Sequence, residues 1–380
     1  MSDPESGPAM RVIGFLVRVG LVIAMLAGLL ALVDDGSPDR ATGAPPARAV
    51  QRTRTTPAAR PVPKETFTFS AVGDVMMGST PDLPPDGGAS YFSRVASAIR
   101  ADVALANLEG TLSTGGSSKC GGGSTNCFAF QTPPSYARWL RLAGFTILNL
   151  ANNHAADYGS IGERQTLAAL ARQRLRHTGR PGEIAVLKVH GIRVALIGFA
   201  PYPWAQSLTN VAAAKRLVAR ARKRADVVVV TMHAGGEGVA FEHVRPGTET
   251  FLGENRGNPL VFSHAVIDAG ADLVVGSGPH VLRGIEWYRG RLIVYSLGNF
   301  GGYGRFVLSG PLATTAILRV ELRGSGAILA ARLVAARLIG AGVPVLDPSG
   351  AAYALVRSLS RTDFGSAGAT VSATGRVGHA

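Results

Sequence analysis

The sequence predicts a layered α/β domain with mixed sheets flanked by helices, carried behind an N-terminal transmembrane helix. Three observations lead there. From Thr66 onward, short apolar runs of strand length alternate with helical stretches, and strands dominate late in the chain, the pattern of a layered α/β domain. Val12 to Val33 reads VIGFLVRVGLVIAMLAGLLALV, a run broken only by Arg18, and about 20 apolar residues match a bilayer core. Finally, each run that reads as a buried strand ends in Asp, Asn, Glu or His, where open α/β sheets bind their ligands.

Residues 1–11 are expected in the cytoplasm. Arg11 and Arg18 lie on that side of the span, and Asp34 and Asp35 follow it, the positive-inside arrangement. A cleaved signal peptide is the alternative reading of 12–33. No Cys follows the run, so a lipoprotein anchor is not expected. Either way the bulk of the chain is placed outside the cytoplasm. Residues 34–63 are rich in Pro, Ala and Arg without an apolar period, and read as a disordered linker.

The folded domain is expected over 64–357. FTFSAVGD is a strand ending in a Gly-Asp turn, Tyr91–Ala101 a helix, and VALANLEG a strand. Pro133–Ala143 is a helix with Pro at its start, FTILNL a strand, and Gly162–Leu175 a helix. IAVLKVHGIRVALIGFA is a hairpin turned at His-Gly. Leu208–Arg224 is a helix, DVVVVTMH an apolar strand, Pro259–Ala269 a helix and ADLVVGSG a strand. IEWYRGRLIVYSLGNF is a second hairpin turned at Arg289-Gly290, and TTAILRVELRG and AILAARLVAARLI are late strands. Residues 358–380, small and polar, read as a flexible tail.

Composition adds bounds. Hydrophobic residues make up 46% of the chain, enough for a sizeable core. Lys and Arg number 39 against 25 Asp and Glu, a net charge of +14. That excess reflects either a general over-use of Ala, Arg and Gly or attraction to something anionic. No basic helix with interleaved aromatics is present, so nucleic acid is not an expected partner. Cys120 and Cys127 flank GGGSTN; in an exported protein a short disulfide loop is one reading and two free thiols the other.

The strand ends carry the chemistry. They bear Gly73-Asp74, Asn107-Leu108-Glu109, Asn152-Asn153-His154 with Asp157, His233 to Glu237, Gly276 to His280, and Ser296 to Asn299. Singly, each suits a turn, a cap or a satisfied buried histidine. Recurrence at successive strand ends argues for one site. Carboxylates, carboxamides and imidazoles together suit a divalent metal such as Mn, Zn or Fe.

The order AVGDVMMG, NLEGTLS, ANNHAADYG, HAGGEG and DAGADLVVGSGPHVLRGIEWYRGRLIVYSLGNF resembles the CapA-type capsule biosynthesis proteins, over about Phe67 to Phe300. The resemblance implies a calcineurin-like metallophosphoesterase fold and a part in poly-γ-glutamate synthesis or export. It implies Asp74, Glu109, Asn153, His233 and His280 as metal ligands, His154 as general acid, and Asp157 as the carboxylate orienting His154. Asn107, Asn152, Glu237 and Asn299 stand beside these as substrate-binding candidates. Glu254, Arg256 and His243, in the segment EHVRPGTETFLGENRGN, are candidates to replace lost ligands or hold an anionic substrate; a plain surface loop is the other reading.

Two departures stand out. Gly278 occupies a position where many family members have histidine, and Met76 stands where phosphoesterases have the histidine of D-x-H. Both remove imidazoles and weaken the case for a two-metal clamp. The expected function is a membrane-anchored, extracytoplasmic protein acting on an anionic polymer such as poly-γ-glutamate, by metal-assisted hydrolysis or transfer. The alternatives are a non-catalytic polymer-binding or assembly component, and a general exported metallophosphoesterase. The expected partners are the polymer, the membrane through the N-terminal helix, and membrane polymer synthase subunits.

Overall fold

The computed structural model describes residues 65–121, 127–306 and 308–379. The expected cytoplasmic segment 1–11, span 12–33 and linker 34–63 lie outside these residues. Among the described residues, no helix is long and apolar enough to cross a membrane.

Two sheets make the framework. The first has the strand order 370–371, 376–378, 328–339, 314–323, 66–76, 103–108, 147–149, 176–178. Its half from 66–76 to 176–178 is parallel, and the half beyond 66–76 is antiparallel. Asn299–Gly302 adds in parallel to the end of Thr66–Met76. The second sheet runs 285–288, 291–294, 273–277, 227–233, 192–199, 185–189, with four parallel strands inside two antiparallel edges.

Strand side chains alternate between faces, and this sorts the core. Phe67, Phe69, Val103, Leu105 and Ile147 of the first sheet meet Val194, Leu196, Val229, Val275 and Val294 of the second in one buried cluster. The intervening residues face outward under helices. Ala104, Ala106 and Leu148 pack with Leu140 and Leu170 of helices Ala137–Ala143 and Gly159–Arg172. Val228, Val230 and Val274 pack with Leu217 and Val266 of helices Val211–Arg222 and Pro259–Asp268. The layers are therefore helix, sheet, sheet, helix. Strands buried on both faces read as unbroken apolar runs, as VVVV at 227–230 does.

Both expected hairpins form. His190 and Gly191 have φ of 51° and 90°, and Arg289 and Gly290 have 50° and 72°, the paired left-handed residues of a tight hairpin turn. The region 91–101 differs from expectation: only Ala96–Ile99 is helical, preceded by turns. The expected flexible tail at 358–380 is also corrected. Helix Ala351–Phe364 runs into it, and strands Thr370–Val371 and Arg376–Gly378 pair with each other and with Ile328–Ile339. Val371 and Val377 enter the central core. Two buried valines in strands of two and three residues leave too short an apolar pattern to read from sequence.

Candidate metal centre

Register lines up the polar residues. Asp74 pairs with Asn299 on one side and Asn107 on the other, and Asn107 pairs with Asn149. Four polar side chains thus form a row across four parallel strands at their carboxyl ends. The strand Thr66–Met76 is irregular between Asp74 and Val75, a bulge of the kind that re-aims a side chain at a site. In the second sheet Ser277 pairs with His233, bringing the Gly276–His280 loop alongside.

The two sheets are joined through Asp74, which is wholly buried. Its Oδ1 accepts from Asn107 Nδ2 at 2.7 Å and lies 3.5 Å from His233 Nδ1. Its Oδ2 accepts from the Gly278 N–H at 3.1 Å and lies 3.3 Å from His280 Nδ1. His280 Nδ1 also meets Asn299 Oδ1 at 2.9 Å, while its Nε2 lies 3.6 Å from Glu109 Oε1 and 3.8 Å from Glu237 Oε2. His280 has φ +61°, a left-handed conformation that costs a non-glycine residue about 1 kcal/mol or more and gathers at functional sites.

Asp74, Glu109 and His280 each offer a donor atom, and the three atoms lie within 4.8 Å of one another. The buried atoms around them are telling. Both carboxylate oxygens of Glu109, Nε2 of His233 and Oδ1 of Asn153 have no hydrogen-bond partner. Burying such groups unpaired is costly, and a carboxylate, an imidazole and a carboxamide oxygen are what a divalent cation takes. The residues present therefore fit a metal ion.

Charge is strongly perturbed here. Burial pushes Glu109 well above the usual carboxylate range, and the neighbouring Asp74, Glu237 and Asp157 charges add to it. Burial also opposes ionisation of Asp74, but hydrogen bonds from His233 and His280 hold it well below that range. For His280 burial favours the neutral ring; Glu109, Asp74 and Glu237 overcome it and raise the group to about 10. His280 therefore carries its proton at neutral pH, and a cation binding at Nε2 must displace it. Apparent metal affinity should rise at least about tenfold per pH unit from about 7 towards 9, with release of one or more protons per ion. Titration calorimetry in buffers of differing ionisation heat reads both; a flat affinity across that range would contradict it.

Next to the centre, Asn152 Oδ1 accepts the His154 N–H at 3.0 Å and fixes the loop. His154 Nδ1 lies 2.8 Å from Asp157 Oδ2, and its ring packs on Phe130 with centroids 4.2 Å apart. Phe130 is 5.9 Å from Phe306, which lies 5.1 Å from the His280 ring, so an aromatic wall runs between the two imidazoles. Burial pulls His154 below its ordinary value against the opposing pull of Asp157. Lys119 Nζ holds Asp157 Oδ1 at 2.6 Å and donates to the Asn153 carbonyl at 3.1 Å. The neighbouring Cys120 is joined to Cys127 in a disulfide.

Several expected substrate-binding residues prove to be internal. Asn107 donates to Asp74 and accepts from Asn149 at 2.9 Å and Asn152 at 3.2 Å. Asn152 also donates to the Leu108 carbonyl at 2.9 Å. Asn299 bridges His280 and the Leu312 carbonyl. Carboxamides engaged at both ends have little capacity left for a ligand, so these three are scaffolding. Arg256 is buried and already carries Glu237 at 2.7 Å and Glu254 at 3.1 Å, with Glu254 itself half exposed. It positions Glu237 rather than presenting a free cation. His243 pairs with Asp363 of the last helix at 2.6 Å, outside the centre.

Sequence reasoning missed Asn149, Lys119, Phe130 and the Gly278 N–H. Asn149 is visible as the in-register neighbour of Asn107 once the strands are aligned. Lys119 and Phe130 lie on loops, with no periodic signal. Gly278 has φ +109°, and a Cβ there would sit 2.9 Å from the Ala234 nitrogen and 3.2 Å from the His233 ring. The backbone thus has no room for an imidazole at this position, and its N–H serves Asp74 instead.

The profile described as "Bacterial capsule synthesis protein PGA_cap" matches residues 68–302, and the chain belongs to that family. Among its relatives is the PGA biosynthesis protein CapA of Bacillus subtilis, 32% identical over 269 residues that cover 64% of this chain and 66% of that protein. The capsule biosynthesis protein CapA of Bacillus anthracis is 30% identical over 277 residues, covering 66% and 63%. The chain thus spans less than two thirds of the length of either. A 5′-nucleotidase precursor from Thermus thermophilus superposes with a TM-score of 0.38 at 15% identity, over 74% of this chain and 54% of that one.

Proposed function

We propose that this chain is a metal-dependent hydrolase or transferase acting on an anionic envelope polymer such as poly-γ-glutamate, anchored by its N-terminal apolar run with the folded domain outside the cytoplasm. The relatives named for PGA and capsule biosynthesis support the polymer class, and the apolar run from Val12 to Val33 supports the anchor. One observation carries the catalytic reading: a fully buried Glu109 whose two oxygens are unpartnered beside Asp74 and His280. Left without a cation that buried carboxylate is costly, and a bound ion offsets the cost.

Asp74, Glu109 and His280 would hold the ion, with His233 Nε2 and Asn153 Oδ1 as further donors. A divalent cation there supplies Lewis acidity towards a carbonyl or phosphoryl oxygen. The chain's own residues do the rest. Asp157, held by Lys119, keeps the His154 Nδ1 proton in place and leaves Nε2 towards solvent-side chemistry. His154 delivers a proton to the leaving group. Its buried ring is neutral at pH 7, and the charge of a bound polyanion favours the protonated form. Glu237, fixed by Arg256, adds negative charge at the His280 side.

The test is to load the full chain with Mn or Zn and follow the length of poly-γ-glutamate by gel filtration. Metal-dependent shortening, absent from Asp74→Asn, is the expected result. Unchanged length with binding retained would reassign the protein as an assembly component. The single-centre geometry left by Gly278 is the observation that favours that second reading.

A further inference from the structure

We propose that the antiparallel half of the first sheet carries a second anion-binding site, a basic groove that seats a linear polycarboxylate away from the metal centre. Arg319 is the direct cross-strand partner of Arg332, and Arg332 of Arg376. Neighbouring strands are about 4.8 Å apart, so three guanidinium groups stand in one row roughly 10 Å long. They share a surface depression of about 500 Å³, with Thr68, Glu321 and Thr374 among its walls.

Like charges set directly opposite one another destabilise a sheet. Here, among the described residues, no carboxylate pairs with any of the three, and only the Arg319 guanidinium has hydrogen-bond partners. Arg319 donates through Nη1 to the carbonyls of Ala98 at 2.5 Å and Arg100 at 3.0 Å, which anchors one end of the row. Arg332 and Arg376 are exposed, and among the described residues neither guanidinium has a hydrogen bond or an ion pair. Glu321, the single carboxylate in the lining, pairs with none of the three. The alternate residues Val320 and Leu322 point into the core, so the row faces outward. Ile317 and Ala336, on the same strands, lie under the helices; the arginines emerge where that cover stops.

The chemistry of the row selects its occupant. Guanidinium forks bind carboxylates through paired hydrogen bonds, and repeated carboxylates at a spacing near that of the strands match three forks at once. A single small anion gains one pair and little affinity. Thr68 precedes Asp74 along one strand by roughly 20 Å, at about 3.3 Å per residue, so a polymer held in the groove is a long way from the ion. The groove holds a growing or threaded chain while another part of it reaches the centre. The choice of a linear polymer as occupant rests on the proposed function; the anion site itself rests on the arginine row.

The experiment uses the full chain in neutral detergent with EDTA, so that the metal centre is not engaged, and a fluorescent poly-glutamate peptide at low ionic strength. Wild type is expected to bind with an affinity that falls as salt rises. R332Q/R376Q is expected to bind about tenfold or more weakly, the scale of a lost charge-assisted hydrogen bond, with unchanged or raised Tm because repulsion is relieved. Glu109→Gln is expected to bind like wild type, which separates failure of this site from failure of the centre. Equal binding by R332Q/R376Q would overturn the proposal. So would a variant that loses binding to phosphatidylglycerol vesicles with polymer binding intact, which would assign the row to the membrane surface.

Discussion

Glu109→Gln is expected to abolish metal retention while leaving the metal-free fold as stable as before or more so. The carboxylate is buried, receives no hydrogen bond, and faces the charges of Asp74, Glu237 and Asp157. Charging it without a cation is unfavourable, and burial holds its proton on well above the usual carboxylate range. The amide has nearly the same shape and carries no charge. Metal affinity should drop by more than about 100-fold, the upper end of what loss of a ligand's supporting partner costs a centre. Wild type is expected to gain Tm on adding Mn or Zn, because an ion that binds only the folded state stabilises it by mass action. The variant should show no such gain. A metal-dependent Tm rise in Glu109→Gln equal to that of wild type would remove Glu109 from the centre.

His154→Ala carries the second large effect. Proton transfer by a positioned side chain contributes about 10²- to 10⁴-fold, so turnover of polymer should fall by that amount while metal content stays at the wild-type level. The pH profile separates the role. His154 sits below its ordinary value because burial outweighs the Asp157 hydrogen bond. As a general acid it must be protonated, so activity at saturating metal declines as pH rises through that lowered value. A general base would give the opposite slope. Lys119→Met should shift the declining limb to higher pH, because the Lys119 charge next to Asp157 disfavours the imidazolium. A His154→Ala enzyme with wild-type turnover would end the assignment.

The frame is legible in the sequence because period-two alternation and unbroken apolar runs mark strands buried on two faces. Phe67–Phe69–Ala71 and Val227 to Val230 announce themselves, and the hairpins follow from His190-Gly191 and Arg289-Gly290. The tail from 358 is not legible, because its burial in the central core rests on Val371 and Val377 with Ala369 beside them. In the centre, Asp74, Glu109, His233 and His280 are readable as polar groups at the ends of apolar strands, and they converge in space. What the sequence withholds is direction. Asn107, Asn152 and Asn299 look like ligand-binding amides, but each has its two ends turned to neighbours inside the protein. Arg256 looks like an anion receptor and is held by two glutamates. Hydrogen-bond partners drawn from strands far apart along the chain leave no trace in local sequence. The same holds for the basic row, which exists only when Arg319, Arg332 and Arg376 are set in register.

The transverse ladder of Asn299, Asp74, Asn107 and Asn149 has a consequence for which ion the protein would carry. Sheet stiffness, rather than the arriving cation, sets where Asp74 stands, so that side of the cradle is cut to shape in advance. Swapping one first-row ion for another then asks for little reshaping, and relative abundance of the metals would decide occupancy more than selectivity of the cradle.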